Sequence, residues 1–183
     1  LQYKICKNFC QRIFDSCKGD KFNGKAVSDY SSSDDFCAAA FTDMYGSILV
    51  AAVGNDGPSA PPLFPAAYPG VIGVTAVDPR DRLLPEAMRG DAVDFAAPGS
   101  ELWAARSGGG QARVRGTSFA APLVARLAAR ELALPAPGAA DRVVRRLEGQ
   151  ARDLGPRGHD ARFGRGLLSA DARAAWAAPM NED

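Results

Sequence analysis

Ser47–Val53 reads SILVAAV and Val71–Val77 reads VIGVTAV, and these two short apolar runs decide the fold class. Each run has the length of a strand and is followed by turn-forming residues, so each predicts a buried strand of a parallel sheet. Val93–Ala96 and Leu102–Ala105 predict two further short strands. The run of three glycines at 108–110 predicts a loose turn after them.

Three segments in the second half of the chain predict helices: Leu123–Leu134, Asp141–Leu147 and Leu167–Ala178. The first carries apolar residues at helical spacing and stops before Pro135. Strands that alternate with helices are typical of an α/β fold whose sheet is largely parallel. The sequence therefore predicts an α/β architecture for this part of the chain.

The first 46 residues differ sharply in composition from the rest. All five Lys and all four Cys lie within residues 1–37, whereas 16 of the 17 Arg follow residue 46. This break predicts a Cys-rich segment over residues 1–46, a main domain over 47–178 and a tail over 179–183. The two large pieces are either separate domains or a join between sequences of different origin.

The four cysteines leave three interpretations open. Helical spacing places Cys6, Cys10 and Cys17 on one face of an amphipathic helix, and Cys37 follows later. Disulfides in an oxidising compartment are the favoured interpretation, with three possible pairings. Zinc is disfavoured because the spacing lacks a C-x2-C knuckle and no His lies nearby. Buried free thiols would require a reducing compartment.

Charge and hydropathy exclude several classes of function. The formal net charge is +1, which argues against a nucleic-acid binder or a polybasic membrane binder. The apolar run Ile48–Val53 is far too short to span a bilayer. The chain begins at Leu1 and shows no signal-peptide core, so we expect a processed chain or a fragment.

Two polar residues stand where chemistry is expected. Ser118 lies among small residues near the start of a helix, where free N–H groups and the positive end of the helix dipole stabilise an oxyanion. Asn55 lies on the loop after a buried strand, where open α/β sheets place their sites. By themselves, such a Ser is usually a helix cap, and Asn-Asp-Gly is usually a plain turn.

Five segments resemble the subtilisin-like serine proteases, and they occur in the order that this family has. They are Gly116–Pro122 (GTSFAAP), Val50–Gly57 (VAAVGNDG), Phe64–Val74 (FPAAYPGVIGV), Asp94–Gly99 (DFAAPG) and Phe163–Ala170 (FGRGLLSA). The first is a highly specific nucleophile motif, and the second is similar to the segment that carries the oxyanion-hole Asn. The resemblance covers residues 47–178, the C-terminal half of a catalytic domain. It implies a partial three-layer subtilisin-like fold, preceded here by the small Cys-rich helical segment.

The resemblance assigns roles to residues of this chain. Ser118 would be the nucleophile, and the Asn55 amide with the Ser118 N–H would hold the oxyanion. Ala51, Ala52, Val53 and Gly54 would line the pocket for a substrate side chain. The substrate would be a peptide or protein. Family members often bind calcium, but no carboxylate cluster here is diagnostic of a site, so we expect no metal and no cofactor.

The resemblance also implies what is missing. In this family the triad order is Asp, His, Ser, whereas the single His of the chain, His159, follows Ser118 in a Gly-rich loop and is expected to be exposed. We therefore expect a truncated, secreted serine endopeptidase that has little activity alone and lacks the N-terminal half of its catalytic domain. The alternatives are an extracellular disulfide-linked binding module, or a pseudoenzyme with a non-catalytic protease half.

A second, weaker resemblance concerns the first forty residues. Cys6–Cys10, Ile13–Lys18 and Asp35–Cys37 are similar in Cys and aromatic spacing to part of the folate-receptor-like cysteine-rich domain. A complete domain of that family carries many more cysteines. If the resemblance holds, this segment is a fragment that would hardly bind a ligand alone.

Overall fold

A computed structural model describes residues 47–132 and 138–169, together with two short strands near the N-terminus. These strands, β1 (Lys21–Phe22) and β2 (Lys25–Ala26), pair antiparallel. The predicted N-terminal helix and all four cysteines lie outside the described residues, as does most of the predicted helix Leu167–Ala178. The predicted division at residue 47 stays a prediction.

Three parallel strands form the central sheet. They are β3 (Leu49–Ala52), β4 (Val71–Val77) and β5 (Phe95–Pro98), in the order β3–β4–β5. Every residue of β4 is buried, because it is the middle strand and both of its faces are covered. The α/β class with a parallel sheet is thus confirmed, and the predicted bounds of β4 are confirmed at both ends.

The strands are staggered rather than level. Ala52 at the end of β3 lies opposite Val74 in the middle of β4, and Val74 lies opposite Phe95 at the start of β5. The prediction for β5 was two residues too early, because Val93 is buried and apolar without being part of the strand. Burial alone therefore gave the wrong start for this strand.

An antiparallel hairpin follows the sheet. It consists of β6 (Ser100–Ala105) and β7 (Gln111–Arg115), and the glycines at 108–110 form its turn as predicted. The sequence prediction for β6 began two residues late, and β7 was missed. In β7 exposed residues alternate with half-buried ones, so it carries the period of two that marks a strand with one solvated face.

Two helices complete the described fold, α1 (Thr117–Glu131) and α2 (Ala139–Glu148). The apolar pattern alone indicates this helix only from Leu123, but the expectation that Ser118 lies near a helix start is confirmed, because Ser118 is the second residue of α1. Pro122 is therefore the sixth residue of α1 and has no N–H to donate to the Ser118 carbonyl.

Both helices cover the same face of the sheet. Their buried residues form one cluster with Ile72, Val74 and Ala76 of β4, which point to that face by strand alternation. The cluster members from the helices are Ala120, Val124, Leu127, Ala128, Val143 and Leu147. Irregular segments cover the opposite face, where Met88 and Val93 pack with Ala51 of β3 and with Val53, the residue after its end. This packing holds the ends of the strands in fixed positions.

The C-terminal described segment differs from the prediction at its start. A helix was expected from Leu167, but Leu167 forms isolated bridges with Ala96 and Arg152. The Ala96 N–H donates to the Gly166 carbonyl at 2.9 Å, and the Leu168 N–H donates to the Ala96 carbonyl at 2.9 Å. Pairing along the free side of β5 satisfies these backbone groups, and it outweighs the local helical pattern.

Candidate active site

The two residues predicted to take part in the reaction lie at the carboxyl-terminal side of the sheet. Asn55 follows β3, and Ser118 is the second residue of α1. After the hairpin the chain returns to the sheet, where the Gly116 N–H donates to the Gly99 carbonyl at 2.7 Å. Gly99 in turn donates to the Val77 carbonyl at the end of β4 at 3.0 Å. The carboxyl ends of parallel strands are where α/β folds place their sites.

Two hydrogen bonds join the Asn55 loop to the start of α1. The Thr117 N–H donates to Oδ1 of Asn55 at 3.0 Å, and the Gly54 N–H donates to Oγ1 of Thr117 at 3.3 Å. Thr117 is fully buried, so these bonds lie in a place where water competes little. They bring Asn55 next to the residue that precedes Ser118, as the sequence predicted.

Gly116 makes this approach possible. Its φ of 134° lies where L side chains are rarely found, and a Cβ there would lie 3.4 Å from Nδ2 of Asn55. A side chain at this position would therefore be strained and would crowd the Asn55 amide. The glycine of the GTSFAAP segment is needed for backbone shape and for space.

The groups that face solvent here have no partner in the described part of the chain. The Ser118 side chain is exposed, and neither its hydroxyl nor its N–H is hydrogen-bonded to a described residue. Because Oδ1 of Asn55 accepts from Thr117, the amide nitrogen Nδ2 is the end left free. Free hydrogen-bond donors near a helix N-terminus are what the oxyanion of an acyl-transfer reaction requires.

The four residues predicted to line a substrate pocket divide into two pairs. Ala51 and Val53 are buried in the core with Met88, whereas Ala52 and Gly54 are partly exposed. This is the alternation expected along a strand whose one face is packed. Their role in substrate binding stays a prediction, and the accessible pair is the better placed for it.

His159 is exposed in its loop, as predicted. Its Nε2 lies 3.1 Å from the carbonyl oxygen of Val93, two residues before β5 begins. This is the amino-terminal side of β5, whereas Ser118 follows from the carboxyl-terminal side. The structure forms no hydrogen bond between His159 and Ser118, both of which it describes.

An ion pair beside the site was missed by sequence reasoning. Arg115 donates to Glu86 from Nε at 2.6 Å and from Nη2 at 2.9 Å, and its Nη1 donates to Oγ of Ser100 at 3.1 Å. The hydrogen bonds from Arg115 hold the pKa of Glu86 below its usual value, against the opposing effect of burial. Glu86 and Arg115 are 29 residues apart in the sequence, so no local sequence pattern predicts the ion pair.

A cavity of about 540 Å³ opens elsewhere, beside the amino-terminal ends of β4 and β5. Tyr68 and Asp94 are among its lining residues, and neither Asn55, Ser118 nor the predicted substrate-binding residues line it. Both carboxylate oxygens of Asp94 are already engaged, one by Arg165 at 2.6 Å and one by the Gly73 N–H at 2.9 Å. The cavity therefore does not mark the site where Ser118 would act.

Two features are absent from the part of the chain that the structure describes: a membrane-spanning helix and a cluster of metal-ligating side chains. No helix there is long and apolar enough to cross a membrane. Within those same ranges, no three or more His, Cys, Asp or Glu side chains come together to hold a metal ion.

Comparison with known proteins gives a consistent result. The model of the Subtilase family matches residues 9–166, a span that begins upstream of the predicted boundary at residue 47. The minor extracellular protease Epr of Bacillus subtilis (strain 168) is 37% identical over 131 residues, which cover 70% of this chain and 20% of that protein. The thermophilic serine proteinase of Bacillus sp. (strain AK1) is 46% identical over 84 residues, which cover 46% of this chain and 21% of that protein. The chain spans about a fifth of the length of these curated relatives.

Solved structures show the same likeness. The prenylagaramide maturation protease PagA is 30% identical with a TM-score of 0.57, over 72% of this chain and 51% of PagA. A lanthipeptide protease with a TM-score of 0.60 is 22% identical over 74% of this chain and 52% of that protein, and it shows the fold alone. Motif, geometry and family match agree: the chain belongs to the subtilase family of serine endopeptidases.

Proposed function

We propose that this chain carries the nucleophile and the oxyanion hole of a subtilisin-like endopeptidase. The observation that supports this most directly is the bond from the Thr117 N–H to Oδ1 of Asn55. It fixes the Asn55 side chain with its nitrogen free, beside the exposed hydroxyl of Ser118. In this proposal, the two donors and the nucleophile are near one another before any substrate binds.

In the proposed reaction, Oγ of Ser118 attacks the carbonyl carbon of the scissile peptide bond. The negative charge that develops on the carbonyl oxygen is held by Nδ2 of Asn55 and by the Ser118 N–H. A base takes the Ser118 proton and passes it to the leaving nitrogen, so that collapse of the tetrahedral intermediate releases the amine and leaves an acyl-enzyme, which water then hydrolyses. Because Asn55 and the start of α1 are already joined, little reorganisation accompanies the charge.

The same proposal includes a weak activity for the 183 residues on their own. Attack requires a base to take the Ser118 proton, and the only His in the chain, His159, is bonded to Val93. A partner segment would have to supply the Asp and the His. The chain's share of its relatives' length, about a fifth, is consistent with such a segment in a longer protein.

Labelling with a fluorophosphonate, with and without added imidazole, tests this function. Free imidazole replaces the missing base, so we expect slow labelling that rises with imidazole concentration and maps to Ser118. Ser118→Ala should abolish it. Ser169→Ala, a matched Ser variant at a partly buried position outside the site, should leave it unchanged.

Two results would overturn parts of the proposal. Rapid stoichiometric labelling of Ser118 without imidazole would show that a base is already present, contrary to the weak activity proposed. No labelling of Ser118 at any imidazole concentration would remove the nucleophile role. That second result would favour the alternative of a pseudoenzyme or a binding module with a non-catalytic protease half.

We also propose that the protein is secreted, a fragment of a longer peptidase, and disulfide-linked in its first 37 residues. Two observations support this: one relative is named as an extracellular protease, and the four cysteines are confined to that segment. Intact mass before and after reduction and alkylation would count the disulfides. Four free thiols in protein taken from the culture medium would contradict the disulfide proposal.

A further inference from the structure

The Glu86–Arg115 ion pair belongs to a closed ring of hydrogen bonds around the site. Three pieces of chain form the ring: the Gly54–Gly57 loop, the Glu86–Met88 segment and the Arg115–Ser118 turn. The Gly57 N–H donates to the Glu86 carbonyl at 2.9 Å, and the Met88 N–H donates to the Gly54 carbonyl at 3.1 Å. The Glu86–Met88 segment is therefore bonded to the loop on both sides of Asn55.

The other two contacts of the ring involve side chains. Both carboxylate oxygens of Glu86 accept from Arg115, which immediately precedes Gly116. The ring closes where Thr117 bonds to Asn55 and Gly54. A planar guanidinium held at two points has a fixed orientation, so the backbone at residue 115 is held relative to Glu86.

We infer that Glu86 and Arg115 are positioning residues, which set the distance between Asn55 and the start of α1 and thereby the geometry of the oxyanion hole. Direct contact between the two halves of the hole consists of the two bonds to Thr117. The ion pair adds a second, independent connection, anchored by backbone bonds that a side-chain change leaves intact.

A second ion pair in the same hairpin serves as a control. Arg113 of β7 bonds to Glu101 of β6 at 2.9 Å, and both side chains are more than half exposed. Glu86 is less exposed, at 33%, and its partner also bonds to Ser100. The Glu101 pair joins two strands of one hairpin, so its loss should not affect the Asn55 loop.

This inference rests on the proposed function, because positioning matters only if Asn55 and Ser118 act together. Its first and deciding test uses no chemistry at Ser118. Amide hydrogen exchange of the full chain, followed residue by residue by NMR, reports on the Thr117 N–H that bonds to Asn55. The Ala76 N–H in buried β4 reports on global stability.

We expect Glu86→Gln and Arg115→Gln each to speed exchange of the Thr117 N–H about threefold to tenfold more than that of Ala76. Glu101→Gln should change neither. Arg115→Lys keeps the charge without the two-point contact, so it should resemble Arg115→Gln. In the imidazole assay the Glu86 variant should lose labelling rate, whereas Glu101→Gln should not.

Two outcomes would overturn the inference. One is equal acceleration at Thr117 and Ala76, which would mean a loss of stability alone. The other is a Glu86→Gln effect no larger than that of Glu101→Gln. If exchange responds as expected but Ser118 never labels, the proposed function fails while the ring of hydrogen bonds stands.

Discussion

The polar groups on the two sides of β5 differ in whether they have hydrogen-bond partners. On its amino-terminal side, Asp94 binds Arg165 and Gly73, and His159 lies within hydrogen-bonding distance of the Val93 carbonyl. On the carboxyl-terminal side, the Ser118 hydroxyl and N–H have no partner among the described residues. Paired polar groups stabilise a fold, whereas free donors held in place are available to a substrate. Changes at the two sides should therefore affect different measurements.

Asn55→Ala should have the largest effect, and on chemistry rather than on folding. Loss of one oxyanion donor lowers turnover about 10²–10³-fold, a figure that comes from a subtilisin. We expect the rate of imidazole-dependent labelling of Ser118 to fall by a factor that approaches about 10²–10³. The free energy of unfolding should fall only about 1 kcal/mol, for the lost bond to Thr117. An unchanged labelling rate in an Asn55→Ala variant that keeps its stability to urea would contradict the comparison between the two sides of β5.

Gly164→Ala should have the largest effect on stability, from the other side of β5. Gly164 has a φ of 60°, and a Cβ there would overlap the Asp94 carbonyl, with Val93 O at 2.7 Å. We expect a loss of about 3 kcal/mol in urea unfolding. Gly158→Ala is the control, because it also has a positive φ, 84°, but meets nothing within 4 Å. It should cost about 1 kcal/mol, and equal losses would refute the steric reason.

Asp94→Ala should come next. It removes the partner of the Gly73 N–H and the shorter of two ion pairs of Arg165, which keeps Glu148 at 3.6 Å, so we expect a cost of about 2 kcal/mol in the free energy of unfolding. Glu101→Ala breaks an exposed pair and should cost no more than about 0.5 kcal/mol. Both variants should still label at Ser118 under native conditions. A selective loss of labelling in Asp94→Ala would mean that the two sides are coupled.

The Glu86 carboxylate predicts a small pH effect. Its pKa in the folded chain lies below the ordinary value of 4.5, chiefly because of Arg115, whose own charge also feels Asp78 and Glu101. A lowered pKa stabilises the fold above the unfolded pKa, and this contribution disappears as the pH falls through the folded value. Unfolding between pH 3 and 6 should show a Glu86 contribution below about 1 kcal/mol. If Glu86→Gln has the same pH dependence as the parent, this assignment is wrong.

The smallest change is expected for His159→Gln. The exposed ring makes one polar contact, to the Val93 carbonyl, so its loss should cost less than about 1 kcal/mol. Labelling of Ser118, with or without imidazole, should stay the same. A fall in labelling without imidazole would mean that His159 acts as the base. It would then no longer belong with the polar groups that only stabilise the fold.

Local pattern was sufficient for part of the fold. β4 was predicted with its bounds because a mostly apolar run of strand length between two turns leaves few alternatives. The apolar period indicates α1 only from Leu123, because Gly116, Thr117 and Ser118 are small or polar, and the start near Ser118 was predicted from its small neighbours instead. At Leu167, pairing with β5 determined the outcome, and a distant strand cannot be read from local spacing.

The site divides in the same manner. Ser118 and Asn55 were predicted from motif and resemblance; the structure brings their segments together, and their roles stay a prediction. Glu86 and Arg115 carry no motif, and only folding makes them neighbours. Burial of Ala51 and Val53 likewise depends on which face of β3 meets Met88. Residues defined by local chemistry can be predicted, whereas those defined by distant packing require the fold.

Because of Pro122, the first turn of α1 and its far end differ in how readily they fray. Without an N–H at this position, the Ser118 carbonyl loses the donor that normally ties the first turn to the second. Fluctuations that begin at the far end of the helix, near Glu131, thus meet a break in the hydrogen-bond ladder before they reach Ser118. Asn55 and Gly54 hold the first turn through Thr117, so we expect local opening near Glu131 to displace the serine less than it would in an unbroken helix.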